Sequence, residues 1–522
     1  MPVSPTYPGV YINELPSAVR TIVGVPTAVA AFVGTAARGP VDAAVHITSW
    51  ADFERIFGGL SGSPLGYAVY LYYLNGGSEA EIVRVVSAGA VGPPAVAGAA
   101  ASTIDLRDGV TVTAKYPGVW GNSLRARVDH DTREPLVGEI KDDLYNLTVR
   151  DTGTGAQESF RNIVAKPTSP FSLARMLAGS RLVTGSGVLD KQPKAHDAVG
   201  AGQDPFAGGP AGAPATFAQG TDGADGAVPD GHAYRAGLEL LRATDIFNML
   251  VLAPASADAM TADVEQDTLA AAAKLCVDRR AILLVDPPKQ WTDIATAVAG
   301  PLPVTGDNAR NAALYFPRLM ITDVAGQAVE FPPAGAVAGV FARTDGQRGV
   351  WKAPAGTDAS ISGIRALAVG VTDLENGRLN PLGVNCLRTL PAADAVVWGA
   401  RTLRGADRLA DQWKYLPVRR TALFIEESLY RGTQWVVFEP NDEPLWSSVR
   451  LNVGSFMNSL FRQGAFQGRT PQEAYLVKCD QENNPQNDID RGIVNILVGF
   501  APLKPAEFVI IHIQQLAGQL QT

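Results

Sequence analysis

Apolar residues recur along this chain in two periods, and the changes from one to the other outline its organisation. Residues 9–15 (GVYINEL) alternate faces as a strand does, but Pro2, Pro5, Pro8 and Pro16 surround them, so they predict an extended arm too short to own a core. Residues 27–35 (TAVAAFVGT) form a continuous run of small and β-branched residues, which suits a strand buried on both faces. A helix over 50–57 follows from Ser49 as N-cap, Asp52 in the box position, and Phe53, Ile56 and Phe57 on one face. Pro64 opens a second helix that Asn75-Gly76-Gly77 stops, and residues 81–87 (EIVRVVS) predict the next strand.

At 88–101 the composition turns to Ala, Gly, Val and Pro, which marks a linker into a different block. Strand-like runs at 110–114, 124–128 and 145–149, separated by Gly, Asp and Pro turns, make that block mainly β. Between Gly200 and Gly231, 13 of 32 residues are Gly or Pro, a composition that burial cannot stabilise against its chain entropy, so loop is expected there. The block between the linkers reads as an insertion. Beyond it a helix at 236–244, a strand at 246–252, a helix at 259–278 and a strand at 281–286 alternate, predicting a layer with parallel strands. After 379 come an amphipathic helix at 419–430, a strand at 434–439, a long helix at 446–466, and strands near 474–479 and 493–500. The closing run, 508–514 (FVIIHIQ), is apolar on both faces and has no local partner, so it must find a sheet elsewhere.

The fold class expected is α/β (α+β mixed) in several domains. The divisions are an N-terminal arm at 1–20, a first part of an α/β core at 21–88, an inserted β-rich domain at 89–231, a second core part at 232–378, a C-terminal domain at 379–505, and a strand arm at 506–522.

Composition narrows the function. The chain has 522 residues, 46% hydrophobic but only 18% charged, against about 25% charged in an average globular protein. Interface cores are depleted in charge, so a thinly charged surface points to an assembly. Net charge is −8, so no positive field exists to attract a phosphate backbone, and nucleic acid is not expected as a partner. The opening residues lack a charged and an apolar signal region, and the apolar runs fall short of the roughly 20 residues a spanning helix needs. A cytoplasmic product without membrane insertion is expected.

Candidate chemistry is sparse. Five His and three Cys (Cys276, Cys386, Cys479) lie far apart, and the chain carries no phosphate-loop, zincin, nucleophile-elbow or C-x-x-C motif. Asp286, at the end of an apolar run, lacks the phosphate loop that would make it a Mg²⁺ ligand. Asp222, Asp225, Asp230 and His232 sit on a glycine framework, but their spacing fits Asp-Gly turns and not an EF-hand. His512 reads as a packed strand residue. No catalytic residue, metal site or cofactor is expected, and the chain is not expected to be an enzyme.

Several phrases together resemble contractile tail sheath proteins. Tyr7-Pro8-Gly9-Val10-Tyr11-Ile12-Asn13-Glu14, Thr35-Ala36-Ala37-Arg38-Gly39-Pro40, Tyr116-Pro117-Gly118-Val119-Trp120-Gly121-Asn122-Ser123 and Gly220-Thr221-Asp222-Gly223 carry the resemblance in the first half. Trp351-Lys352-Ala353-Pro354-Ala355-Gly356, Leu379-Asn380-Pro381, Val397-Trp398-Gly399-Ala400-Arg401-Thr402, Glu426-Glu427-Ser428, Cys479-Asp480 with Asn484-Pro485, and Ala501-Pro502-Leu503-Lys504-Pro505-Ala506-Glu507-Phe508 carry it in the second. The resemblance implies a structural subunit that forms stacked hexameric rings around an inner tube and contracts to drive the tube through a target envelope. It implies arms that add strands to a sheet in another subunit: Val10, Tyr11 and Ile12 in one, Val509, Ile511 and Ile513 in the other. Glu426 and Glu427 are expected to face the tube. Implied partners are other copies of the chain, the inner tube protein, and baseplate and tail-terminator or cap proteins, in a phage tail or tail-like particle made in the bacterial cytoplasm. The alternatives are another helical or shell-forming protein of a phage-like particle, or an α/β enzyme with an unrecognised site.

Overall fold

The computed structural model describes residues 20–61, 63–89, 97–187, 191–200, 202–207, 216–255, 263–391 and 393–510. Its centre is an eight-stranded sheet. In spatial order the strands are Ala393–Val397, Val384–Leu390, Ala312–Phe316, Ile282–Val285, Met249–Leu252, Ala30–Gly34, Ala80–Arg84 and Val45–Ile47. The six inner strands run parallel and the outermost strand at each edge is antiparallel to its neighbour.

Four of the inner strands are buried along their whole length, as continuous apolar runs require when helices cover both faces. Ala30 and Phe32 point into one apolar layer, shared with the helices Trp50–Phe57, Pro64–Leu74 and Ala334–Arg348. Ala31 and Val33 point into the other, shared with Gly231–Leu240, Gln266–Asp278 and Ile294–Ala299. Pro64–Leu74 and Ala334–Arg348 lie backbone to backbone, because a Cβ on Gly339 would stand 2.4 Å from the Tyr72 carbonyl oxygen.

The insertion leaves after Ala80–Arg84 and returns at Gly231–Leu240, with its own core between two antiparallel sheets. Arg84, nearly fully buried, bolts it down, donating to the carbonyls of Ala36, Gly39 and Pro117 at 2.8 to 3.0 Å. Arg38 adds an ion pair with Asp151 at 3.1 Å.

The C-terminal unit packs the helices Leu416–Gly432 and Glu443–Arg462 with a hairpin, Tyr475–Lys478 paired to Leu497–Phe500. It is pinned to the core by a dry ion pair, Arg420 to Asp345 at 2.6 Å, both side chains almost fully buried.

Two expectations need correction. The division at 379 cuts the large sheet, since Val384–Leu390 and Ala393–Val397 complete it. The polar residues Asn385 and Arg388 disguised a strand that is nonetheless buried. No strand forms at 434–439: Gln434–Val436 is a single turn whose bonds run back toward the preceding helix, and Phe438 follows in a left-handed conformation, φ 70°, fully exposed. Within this single chain Phe508, Val509 and Ile510 are not in a strand; the sheet expected for them belongs to another copy. Elsewhere elements are shorter than read: the last strand is Leu497–Phe500 instead of 493–500.

Candidate functional site

Among the described residues no group of three or more His, Cys, Asp or Glu side chains lies together as metal ligands would, and no helix is long and apolar enough to cross a membrane. Burial pushes the Cys386 thiol up to about 12 and raises Cys276 and Cys479 as well. Asp225 accepts the Val119 amide at 2.9 Å, tying the second linker to the turn Val119–Ser123 inside the insertion. The features that stand out physically are the hairpin and the segments around Arg20 and Glu507.

In the hairpin, Tyr475 faces Phe500 and Lys478 faces Leu497. Alternation puts Tyr475, Val477, Val498 and Phe500 against the long helix and its neighbours. Leu476 and Leu497 are left pointing outward, each about half exposed (54% and 52%). Among the described residues neither strand has a second neighbour, so two rows of backbone donors and acceptors stand open.

The N-terminal segment enters over this unit. The Arg20 amide donates to Asn452 Oδ1 at 2.9 Å, its guanidinium lies 4.6 Å over the Trp435 ring, and Ile22 is buried between the helices. Gly432 makes the room, since a Cβ there would meet Ile22 at 2.6 Å.

The C-terminal segment leaves the hairpin, bonds to Ala474 and Gln467 through Ala501, and crosses back to the core. There Glu507 enters a socket around Arg401, whose side chain is fully buried. Arg401 donates from Nε to Glu507 Oε1 at 2.7 Å and from Nη2 to Oε2 at 2.5 Å, a planar two-point contact. Its Nη1 serves Asp407 Oδ1 and the carbonyls of Asn380 and Gly405. Past this point Phe508, Val509 and Ile510 are 74%, 81% and 76% exposed.

Val10, Tyr11, Ile12, Ile511 and Ile513, and His512, lie outside the described residues. Val509 stands free of its own subunit, beside the socket. Glu426 and Glu427, alike in sequence, differ in structure. Glu427 is largely buried and accepts from Arg280 at 2.8 Å and Arg431 at 2.7 Å, joining helix Leu416–Gly432 to the core. Glu426 is about half exposed and touches only the near side of Arg419, at 3.3 Å. Sequence reading missed Arg401, Glu507, Arg420 and Asp345. Both socket residues lay inside phrases that carried the family resemblance, which was the one available signal.

Known proteins agree with this architecture. The phage tail sheath C-terminal domain family matches residues 410–515, which hold both helices, the hairpin and the Glu507 segment. Over 286 residues the chain is 26% identical to the tail sheath protein of Burkholderia phage BcepMu, covering 52% of this chain and 57% of the relative. Over 182 residues it is 26% identical to the tail sheath protein of Vibrio phage KVP40, covering 35% and 26%. The chain thus spans between about a quarter and somewhat over half the length of these curated relatives. In fold it is similar to the sheath of the extracellular contractile injection system PVC in its contracted state, with a TM-score of 0.59 and 22% identity over 98% of each chain. The C-terminal part of the chain is thus similar to the phage tail sheath C-terminal domain, and the chain shares sequence similarity with phage tail sheath proteins and its fold with the sheath of a contractile injection system.

Proposed function

We propose that this chain polymerises helically, as stacked hexameric rings, around an inner tube and contracts to drive that tube through a target cell envelope. One observation carries the reading: the chain holds an open hairpin and, past the Arg401 socket, an exposed apolar segment at 508–510 that does not pair with that hairpin. A donor and an acceptor that do not meet within one subunit make a heterologous contact, which propagates as a helix or ring. The residues 1–20 and 506–522 would then be the connecting arms, Val10, Tyr11 and Ile12 in one and Val509, Ile511 and Ile513 in the other, with their flanking prolines and glycines as hinges.

Contraction on this reading needs no cofactor and no enzymatic step. Each subunit is a two-state element, and the shortened lattice must bury or pair more surface than the extended one. The inner tube, baseplate and terminator or cap proteins are the proposed partners, with assembly in the bacterial cytoplasm before the phage tail or tail-like particle acts. Glu426, the freer of the glutamate pair, is the proposed tube contact. Glu426→Lys tests it without breaking the Arg280 and Arg431 pairs that Glu427 holds, and tube-filled particles of normal length from that variant would refute it.

The test of the main reading is electron microscopy of the chain co-expressed with its tube protein. Striated hollow cylinders are expected. A monodisperse, non-polymerising protein under all assembly conditions would refute it.

A further inference from the structure

The C-terminal segment is fixed at two places. At one end Ala501 and Pro502 pair with residues 466 and 467 of the C-terminal unit, and at the other Glu507 fills the Arg401 socket in the core. Between them the segment, stiffened by Pro502 and Pro505, spans a cavity of about 740 Å³ bordered by Trp351, Trp398 and Gln463. It is a strap over a cleft between two units.

The socket is joined to the large sheet. Asn385, in the buried strand Val384–Leu390, accepts the Arg401 amide at 2.7 Å and donates to the Arg401 carbonyl at 2.8 Å, so the arginine backbone is held by a sheet residue. Tyr415 reaches Glu507 Oε2 at 3.4 Å from the other side. A fully buried guanidinium has lost its water, and removing a partner from such a pair leaves a charge without compensation. The Glu507 carboxylate is therefore held far more firmly than the exposed residues that follow it.

We infer that Arg401 anchors the C-terminal arm: the socket fixes the chain at Glu507, sets the point from which residues 508 onward reach a second copy of this chain, and passes tension in the arm into the eight-stranded sheet. This inference rests on the sheath reading above. Arg401 is on this account a positioning residue, acting through Glu507 on the reach of the arm.

The test compares full-length wild type with Glu507→Gln, Glu507→Asp and the exchange Arg401→Glu/Glu507→Arg. Three quantities are read: the chymotryptic cleavage rate after Phe508 in the unassembled protein, the thermal midpoint, and sheath length by electron microscopy. Glu507→Gln is expected to be cut at least tenfold faster, to keep its thermal midpoint within a few degrees, and to give short or no sheaths. Glu507→Asp is expected to recover part of the length. Cleavage and length both like wild type in Glu507→Gln would overturn the inference, as would a released strap with sheaths of normal length. A midpoint that collapses in Glu507→Gln would also overturn it, by making the pair a plain folding contact. Failure of wild type to form any sheath refutes the sheath reading instead, and the cleavage rates still report on the socket.

Discussion

The eight-stranded sheet and the C-terminal hairpin are built from similar residues but finished differently. The large sheet is closed to further pairing. Helices cover both faces, and loop residues 356–361 bond along the outer edge of Ala393–Val397, with Ile361 donating to Ala395 and Val397 donating to Ala359. Its other edge strand is three residues long and carries the pair His46 and Glu81 at 3.0 Å. Short, charged or covered edges are how sheets avoid unwanted strands. The hairpin's strands are also short and carry one charge, Lys478 paired to Glu482, but among the described residues no further strand pairs with either edge, and Leu476 and Leu497 stand exposed on the outer face. One sheet makes the subunit; the other, on the proposed function, is left for its neighbours.

Breaking each sheet should therefore give opposite phenotypes. Removal of residues 508–522, which keeps the Glu507 anchor, is expected to abolish long sheaths in electron micrographs while leaving a cooperative melt near that of wild type. A truncated chain that still formed long regular cylinders would erase the distinction between the sheets. Asp345→Ala should cost roughly 3–5 kcal/mol in denaturant unfolding, because it strands the buried Arg420 guanidinium at the joint between core and C-terminal unit. Leu284→Ala, within the closed sheet, should cost roughly 2–5 kcal/mol by the same measurement.

The closed sheet also hides a titrating group. Asp286, at the end of Ile282–Val285, is buried, and desolvation pushes its carboxyl up to about 7 although the Ala334 amide and Arg318 oppose the shift and Asp263 adds to it. A folded-state value above the unfolded one means that the native state binds the extra proton. This contribution is complete below about pH 4 and is lost as pH rises through about 7. Asp286→Asn should flatten the fall in stability across that window, which urea melts at pH 5 and pH 8 would show. The smallest effect belongs to the open sheet: Leu476→Asn should change unfolding stability by no more than about 0.5 kcal/mol, as an exposed substitution does, yet shorten sheaths.

How much of this was legible in the sequence follows from what leaves a local trace. Ala30–Gly34, Met249–Leu252 and Ile282–Val285 were readable because burial on both faces demands unbroken apolar runs. Trp50–Phe57 was readable from its cap, since the Ser49 hydroxyl does accept the Asp52 amide, and Pro64–Leu74 from Pro64 in its first turn and Asn75-Gly76-Gly77 at its end. Val384–Leu390 was hidden because Asn385 and Arg388 interrupt its run, and their partners lie elsewhere in the chain. The residues 434–439 misled for the opposite reason: β-branched and aromatic side chains favour a strand, but among the described residues no neighbouring strand is there to pair with. The Arg401–Glu507 socket and the Arg420–Asp345 bolt join residues 106 and 75 positions apart, and no periodicity encodes such a pair.

The central claim, that the hairpin is left open for the arm of a second copy, is tested most directly by a cryo-EM map of assembled cylinders traced from Glu507 onward. The account predicts that residues beyond Glu507 leave their subunit and pair as a strand on the edge of another copy's hairpin at Tyr475–Lys478 or Leu497–Phe500. A map in which they fold back on their own subunit and both hairpin edges stay unpaired would contradict it.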